Sequence, residues 1–226
     1  MSKYNVIIET KRFELRELVL EDSQMFYALN LDPEVTRYTG DRAFQSIGQA
    51  WHFLEEYIET VYPRDGFGRW AILDKKTGAK WGWAGLKKRE NGEIDLGYRL
   101  FQEYWGKGCA GEVGEGCLRH AFVNLKLESL IAEAVSENIA SIRVMEKLGF
   151  KYLRDGVDHG LIDHHGALVI PAENGPVRIE ESPENSQVLL FFALFFQDKG
   201  RLVADHLLEA GRGIEKLFGK SLAERL

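Results

Sequence analysis

Glu93-Ile94-Asp95-Leu96-Gly97-Tyr98-Arg99-Leu100, running on through Phe101-Gln102-Glu103-Tyr104 into Trp105-Gly106-Lys107-Gly108-Cys109-Ala110-Gly111-Glu112, is the stretch on which the reading of this fold turns. The first eight residues read as a strand. A glycine loop follows, and then a helix with Ala110, Val113, Cys117, Leu118, Ala121 and Phe122 on one face. Gly106 and Gly108 let the backbone turn tightly with its N–H groups inward, and the helix adds its positive N-terminal end, an arrangement suited to an anion such as a diphosphate. With 23 glycines in the chain, a lone G-x-G is a weak signal. Cys109 and Ala110 stand where a nucleotide-triphosphate loop would carry Lys and Ser or Thr, which excludes that motif. The preceding strand belongs to a meander rather than a βαβ unit, which disfavours a dinucleotide fingerprint.

Upstream, strands are expected at 68–73, 81–86 and 93–100, separated by the turn pairs Thr77-Gly78 and Asn91-Gly92. Residues 12–18 alternate apolar and charged positions as a half-exposed strand does. An acidic helix start at Glu21-Asp22-Ser23 leads into Met25, Phe26 and Leu29. Ser46 is placed to cap a second helix, with apolar positions from Ala50 to Val61, expected to end before Pro63. Downstream, 130–135 reads as a short strand and 140–148 as a short helix closed by Gly149. The expectation is an α+β fold: a mixed, mostly antiparallel central sheet flanked by helices, with a C-terminal helical extension. Its parts are a core at 1–154, an insertion at 155–186 with a hairpin near Asn174-Gly175, a final core strand at 187–198 and a helical tail at 199–226. In the tail Ile214, Leu217, Phe218 and Leu222 form one stripe, to be covered by this domain or by a second copy in a homodimer.

The chain has 226 residues and a net charge of −6, which argues against a nucleic-acid partner and is compatible with a cationic amine substrate. Its longest apolar run, 188–196, is too short to span a bilayer as a helix, so no membrane association is expected. The first residues lack the layout of a signal peptide, which points to the cytoplasm. The two cysteines, Cys109 and Cys117, sit eight positions apart on one loop-helix segment, roughly 12 Å if helical, and are expected to be reduced.

The glycine loop gains specificity from what lies thirty residues further on. Asp95-Leu96-Gly97-Tyr98-Arg99-Leu100, Tyr104-Trp105-Gly106-Lys107-Gly108-Cys109-Ala110-Gly111-Glu112 and Asn138-Ile139-Ala140-Ser141-Ile142-Arg143-Val144-Met145-Glu146-Lys147-Leu148-Gly149-Phe150 together resemble the GNAT superfamily of acyl-CoA-dependent N-acetyltransferases. With Glu9 to Arg16 and Asp32 to Tyr38 they look more narrowly like its ribosomal-protein N-terminal alanine acetyltransferase branch. The resemblance covers about residues 7 to 153 and the strand near 190. It implies central strands that splay apart with acetyl-CoA wedged between them. Backbone groups of Tyr98, Arg99 and Leu100 would meet the pantetheine amides, the loop Trp105, Gly106, Lys107, Gly108, Cys109, Ala110 and Gly111 would hold the diphosphate, and Asn138 would bond the pantetheine arm from across the gap. Trp105 departs from the superfamily's usual Gln or Arg, as is common in this branch. Met145 stands where many relatives carry a tyrosine that protonates the leaving thiolate, and a thioether cannot donate a proton. Ser141, which matches the branch's serine, is the replacement; otherwise it serves only local helix N–H groups.

Acetylating an amine near pKa 10 requires removal of its proton. Asp95 is the proposed acceptor, through water if need be, with Glu93 two residues away on the same face of the strand; the alternative for each is a solvated strand face. The oxyanion donor is expected at the backbone N–H of Tyr98 or Arg99. The cluster Asp158-His159 and Asp163-His164-His165 has no helical spacing and reads as a lid or solvated turn, so no metal is expected. Trp51, Trp70, Trp81, Trp83 and Phe53 either line an acceptor pocket or belong to the core. The acceptor is expected to be a protein N-terminal amine or a small cationic amine. A non-catalytic acyl-CoA sensor acting through a partner protein is the alternative function.

Overall fold

The computed structural model describes residues 5–158, 161–168 and 170–171, with side-chain surroundings through residue 151. All of these fall within one compact unit, residues 1–177. Two antiparallel strands open it, β1 (Val6–Glu9) and β2 (Phe13–Glu17). A 3-10 turn at Leu20–Asp22 leads into α1 (Ser23–Leu31), followed by α2 (Pro33–Thr36) and the long α3 (Ile47–Asp65). The meander is β3 (Arg69–Asp74), β4 (Lys80–Lys88) and β5 (Ile94–Leu100), so the first sheet runs β1-β2-β3-β4-β5, antiparallel throughout.

The Ser46 hydroxyl accepts from the Gln49 N–H, as the sequence requires of an N-cap. The helix does not stop before Pro63, however. It continues to Asp65 and closes on Gly66, whose left-handed φ of 73° lets its N–H reach the Tyr62 carbonyl. Pro63 lies in the last turn, where the lost N–H bond is only one. Two tyrosines of α3 tie it to the sheet: Tyr57 Oη accepts from the Arg69 N–H at 2.7 Å, and Tyr62 donates to the Arg69 carbonyl at 2.6 Å.

Beyond the meander come α4 (Cys109–Arg119), prolonged by a wider π turn at His120–Asn124, then β6 (Ser129–Leu130), β7 (Ala134–Val135) and α5 (Ile139–Lys147). The main core lies between α4 and the sheet, built on Phe13, Trp70, Leu86, Val113 and Cys117 among others. Helix α4 can approach its neighbours because a Cβ at Gly114 would lie 2.6 Å from Leu148 Cδ1 and one at Gly116 2.8 Å from Ile8 Cγ2. The single strand expected at 130–135 is two short pieces. β6 pairs with β10 (Ile170–Pro171), and β7 pairs with β9 (Leu161–Leu168), which in turn pairs with β8 (Tyr152–Asp158).

Strand β8 runs through the 154/155 boundary, and β9 and β10 lie in what reads from the sequence as an irregular insertion. The charges and histidines of 154–165 break the apolar alternation that marks a strand, although the backbone pairs. Asp158 ends β8, and Asp163, His164 and His165 lie on β9, paired toward β7 and β8, rather than in a loop. His159, the Asn174-Gly175 turn, the 187–198 strand and the tail stripe lie outside the described residues. Among the described residues no helix is long and apolar enough to cross a membrane.

Candidate active site

The site forms where the sheet divides. Leu96 donates to the Ile131 carbonyl at 2.8 Å and Ile131 donates to the Ile94 carbonyl at 2.9 Å, so β5 and the 129–135 segment begin as parallel neighbours joined at Asp95 and Ile131. Further along, β5 stays with β4 through Leu100, whereas β7 turns to β9. The strands therefore part, as splayed strands require. Since Leu96 points its N–H across this gap, the two-residue period aims the Tyr98 N–H to the same side.

Across the gap stands the start of α5. Asn138 caps it, its side-chain oxygen accepting from the Ser141 N–H at 3.1 Å. The Ser141 hydroxyl is 3.1 Å from the Tyr98 hydroxyl, which donates to it. This joins the two sides of the gap by one hydrogen bond between proton-bearing groups. Burial pushes the Tyr98 phenol above its ordinary pKa, although the Ser141 bond opposes that, so Tyr98 keeps its proton at neutral and mildly alkaline pH. Met145, one turn along α5 from Ser141, is buried in the core cluster against which Tyr98 packs.

At the end of β5, the Trp105 indole N–H donates to the Leu100 carbonyl at 3.0 Å, folding the chain into the glycine loop. Gly106 and Gly108 adopt φ of 71° and 73°, left-handed values that favour glycine. Gly108 is the N-cap of α4, and no side chain caps that helix end, which leaves its first N–H groups without a side-chain partner. A Cβ at Gly106 or Gly111 would meet nothing within 4 Å. Gly111 thus forgoes about 1 kcal/mol of helix propensity with no packing reason, and the space fits a bound group. The loop is braced from β2's side. Arg12 donates to the Lys107 carbonyl at 2.9 Å and pairs with Glu112 at 2.6 Å, while Thr10 donates to Glu112 at 2.7 Å. Burial works against ionisation of Glu112, but the Thr10 and Arg12 hydrogen bonds outweigh it and hold the carboxyl below its usual range. Cys109 is buried and its thiol is pushed up to about 12 by desolvation; Ala110 packs on the core, and Lys107 lies over the Tyr104 ring.

On the other face of β5 a cleft of about 950 Å³ extends from Tyr98, Ala134 and Val135 to Phe26, Phe44 and Phe53. Its floor is Trp83, with the guanidinium carbons of Arg69 and Arg99 5.2 and 5.4 Å from the ring centre and Phe26 stacked at 6.4 Å. Of the five aromatics singled out in the sequence, Trp83 and Phe53 line this cleft. Trp70 is core, Trp81 stacks on Tyr104, and Trp51 packs edge-on against His52.

The two candidate bases are not assembled as a pair. Asp95, 8% exposed, faces Arg69 with one carboxylate oxygen and Arg89 with the other. Glu93 precedes β5 at the hairpin tip, where Asn91 bonds both its backbone and its side chain. The side chains of Tyr98, Arg69, Arg99 and Asp41 are parts of the site that sequence reasoning missed. The only signal for them was the strand alternation that sets Tyr98 and Arg99 on opposite faces, since cross-strand partners depend on register.

A splayed sheet, an uncapped glycine-led helix start and a hydroxyl pair across the gap define an acyl-CoA-dependent N-acetyltransferase, and the comparisons agree. Residues 12–151 match the acetyltransferase (GNAT) domain family, to which this chain belongs. It is 31% identical over 144 residues to the uncharacterized N-acetyltransferase p20 of Bacillus licheniformis, covering 63% of this chain and 80% of that one. It is 30% identical over 153 residues to the uncharacterized N-acetyltransferase YoaA of Bacillus subtilis, covering 67% and 85%. Among solved structures, a GNAT-family acetyltransferase from Bacillus anthracis superposes with a TM-score of 0.63 at 21% identity, covering 74% of this chain and 98% of that one. Spermidine N-acetyltransferase from Vibrio cholerae, in complex with CoA and spermine, gives 0.57 at 19%, covering 70% and 92%.

Proposed function

We propose that this protein transfers the acetyl group of acetyl-CoA to a primary amine by direct attack in a ternary complex. In this reading the donor enters the gap between β5 and β7, with its diphosphate on the 105–111 loop, and the amine approaches from the Trp83 cleft. The observation that carries it is the Tyr98–Ser141 pair spanning the place where the strands part. Ser141 accepts from Tyr98 and keeps its own proton for the departing thiolate, and the Tyr98 proton can follow. The Tyr98 N–H polarises the thioester carbonyl and stabilises the oxyanion. Asp95, occupied by two arginines, holds the cleft floor, and water takes the amine proton. No buried nucleophile is needed: Cys109, with its raised pKa, is packing.

By volume the cleft admits either a small amine or an extended protein N-terminus, the acceptor of the branch whose motifs the sequence resembles. Buried, unpaired Cys109 and Cys117 favour the cytoplasm. The test is thiol release from acetyl-CoA with an amine panel, comparing wild type with Ser141→Ala and Tyr98→Phe. Loss of a general acid lowers kcat by on the order of 100-fold. Ser141→Ala should show this with little change in KM for acetyl-CoA, and Tyr98→Phe a smaller loss. Unaltered kcat in both variants would remove the pair from the chemistry.

A further inference from the structure

The charges lining the Trp83 cleft are opposite in balance to the chain. The protein as a whole carries −6, yet among the described residues the cleft lining holds seven basic and five acidic ones. Four of those five acids are matched to an arginine: Asp41 to Arg99, Asp65 to Arg64, Asp95 to Arg69 and Glu133 to Arg89. Among the described lining residues that leaves Glu90 alongside Arg42, Lys87 and Lys88. A polyamine brings further ammonium groups beyond the one that reacts, and this lining offers them guanidinium groups over an indole and carboxylates that are mostly engaged by arginines already. That is the wrong sign for such an acceptor, whatever the fold's solved neighbours bind.

Among the arginines of the lining, Arg99 is the one adjacent to Tyr98 in the chain. On β5 it projects to the cleft face, rests against Trp83 and is 13% exposed at its side chain. Its partner Asp41 is not on the sheet; it lies on the connection between α2 and α3, and is itself 38% exposed. A guanidinium fork fixed on an aromatic ring and met by a carboxylate from a surface connection has the geometry of a carboxylate receptor.

We infer that the acceptor is a small amine that also carries a carboxylate, which Arg99 binds in exchange for Asp41 while the amine reaches the gap beside Tyr98. This rests on the cleft being the acceptor side of an acetyltransferase. Aromatic neighbours Phe26, Phe44 and Phe53 suit an apolar substituent on the same molecule.

The experiment uses the full chain and paired acceptors, phenylalanine against phenylalaninamide, with spermidine as the polycation, reading CoA thiol release. The amide's amine is the less basic, so more of it is neutral at assay pH, and a preference for the acid cannot come from basicity. The expected result is a kcat/KM at least ten-fold higher for the amino acid than for its amide. Arg99→Gln should collapse that ratio toward one, and Asp41→Asn should lower KM for the amino acid. Equal or better turnover of the amide, turnover confined to spermidine or to peptide N-termini lacking acidic residues, or an Arg99→Gln ratio like wild type would overturn it. Those results leave thiol release with an amine intact. Absence of thiol release with every amine, including peptide N-termini, together with no difference between amino acid and amide in calorimetric binding to the CoA-loaded protein, would instead remove both this inference and the catalytic reading.

Discussion

Replacing Gly108 by alanine isolates what the glycine loop contributes. Gly108 has φ 73° and ψ 10° as the N-cap of α4, and an added Cβ would have only Arg12 Nη2 near it, at 3.6 Å, an ordinary contact. The cost is therefore conformational, about 1–2 kcal/mol for a non-glycine residue in the left-handed region. It divides between two readouts. If alanine keeps the left-handed shape, the folded state bears the strain, and in a chain of this length Tm falls by about 2–8 °C. If the loop relaxes, Tm is spared, and CoA must restore the shape on binding, which weakens its affinity by about 5- to 30-fold. Gly108→Asn, which tolerates this conformation, should show a smaller total. The assays are calorimetric titration with CoA and a thermal melt on the same preparations. Unchanged affinity together with unchanged Tm for alanine, or an asparagine variant as impaired as alanine, would refute the assignment of the loop.

Asp22 is fully buried beside Arg16 and Lys80. Burial alone would raise its pKa, but the hydrogen bonds from Arg16 and Lys80 outweigh that and lower it. A depressed folded pKa contributes stability that is complete above the unfolded value near 4 and is lost as pH falls through the folded one, so melts should show Tm dropping below about pH 4. Asp22→Asn removes that acid limb and costs about 3–5 kcal/mol at pH 7 by breaking the buried ion pair with Arg16. Gly85 has φ 149° and no room: a Cβ would sit 2.3 Å from the Gly68 carbonyl oxygen. Gly85→Ala should cost about 3 kcal/mol or more in denaturant melts, against about 1–2 for Gly66→Ala, where nothing lies within 4 Å. Cys109 and Cys117 are buried with thiols pushed up to about 12, so the native protein should react with a thiol reagent only as it unfolds.

The meander, the Ser46 cap and the loop before α4 were legible because each rests on local chemistry: alternation, a capping hydroxyl, glycines where φ turns positive. Asn138 and Ser141 were found by motif, and the structure sets them at one helix start. The motif did not reveal that Asn138's oxygen serves that helix or that Ser141 faces Tyr98, because both contacts depend on how far β5 and β7 diverge. Charge type alone did not show the partners of Asp95. Two carboxylates two residues apart look like a base and its helper, yet the register of β3 against β4 and β5 delivers Arg69 to Asp95. The β8–β9 hairpin escaped for a different reason, since its polar residues hide a backbone pairing that supplies its own hydrogen bonds.

The most direct test of where the donor binds is a crystal structure with acetyl-CoA bound. The diphosphate oxygens should accept hydrogen bonds from backbone N–H groups within residues 106–111, and the thioester should lie in the gap beside Tyr98 N–H with its sulfur near Ser141 Oγ. A donor bound with its diphosphate away from that loop, or with its thioester outside the gap between β5 and β7, would contradict the account.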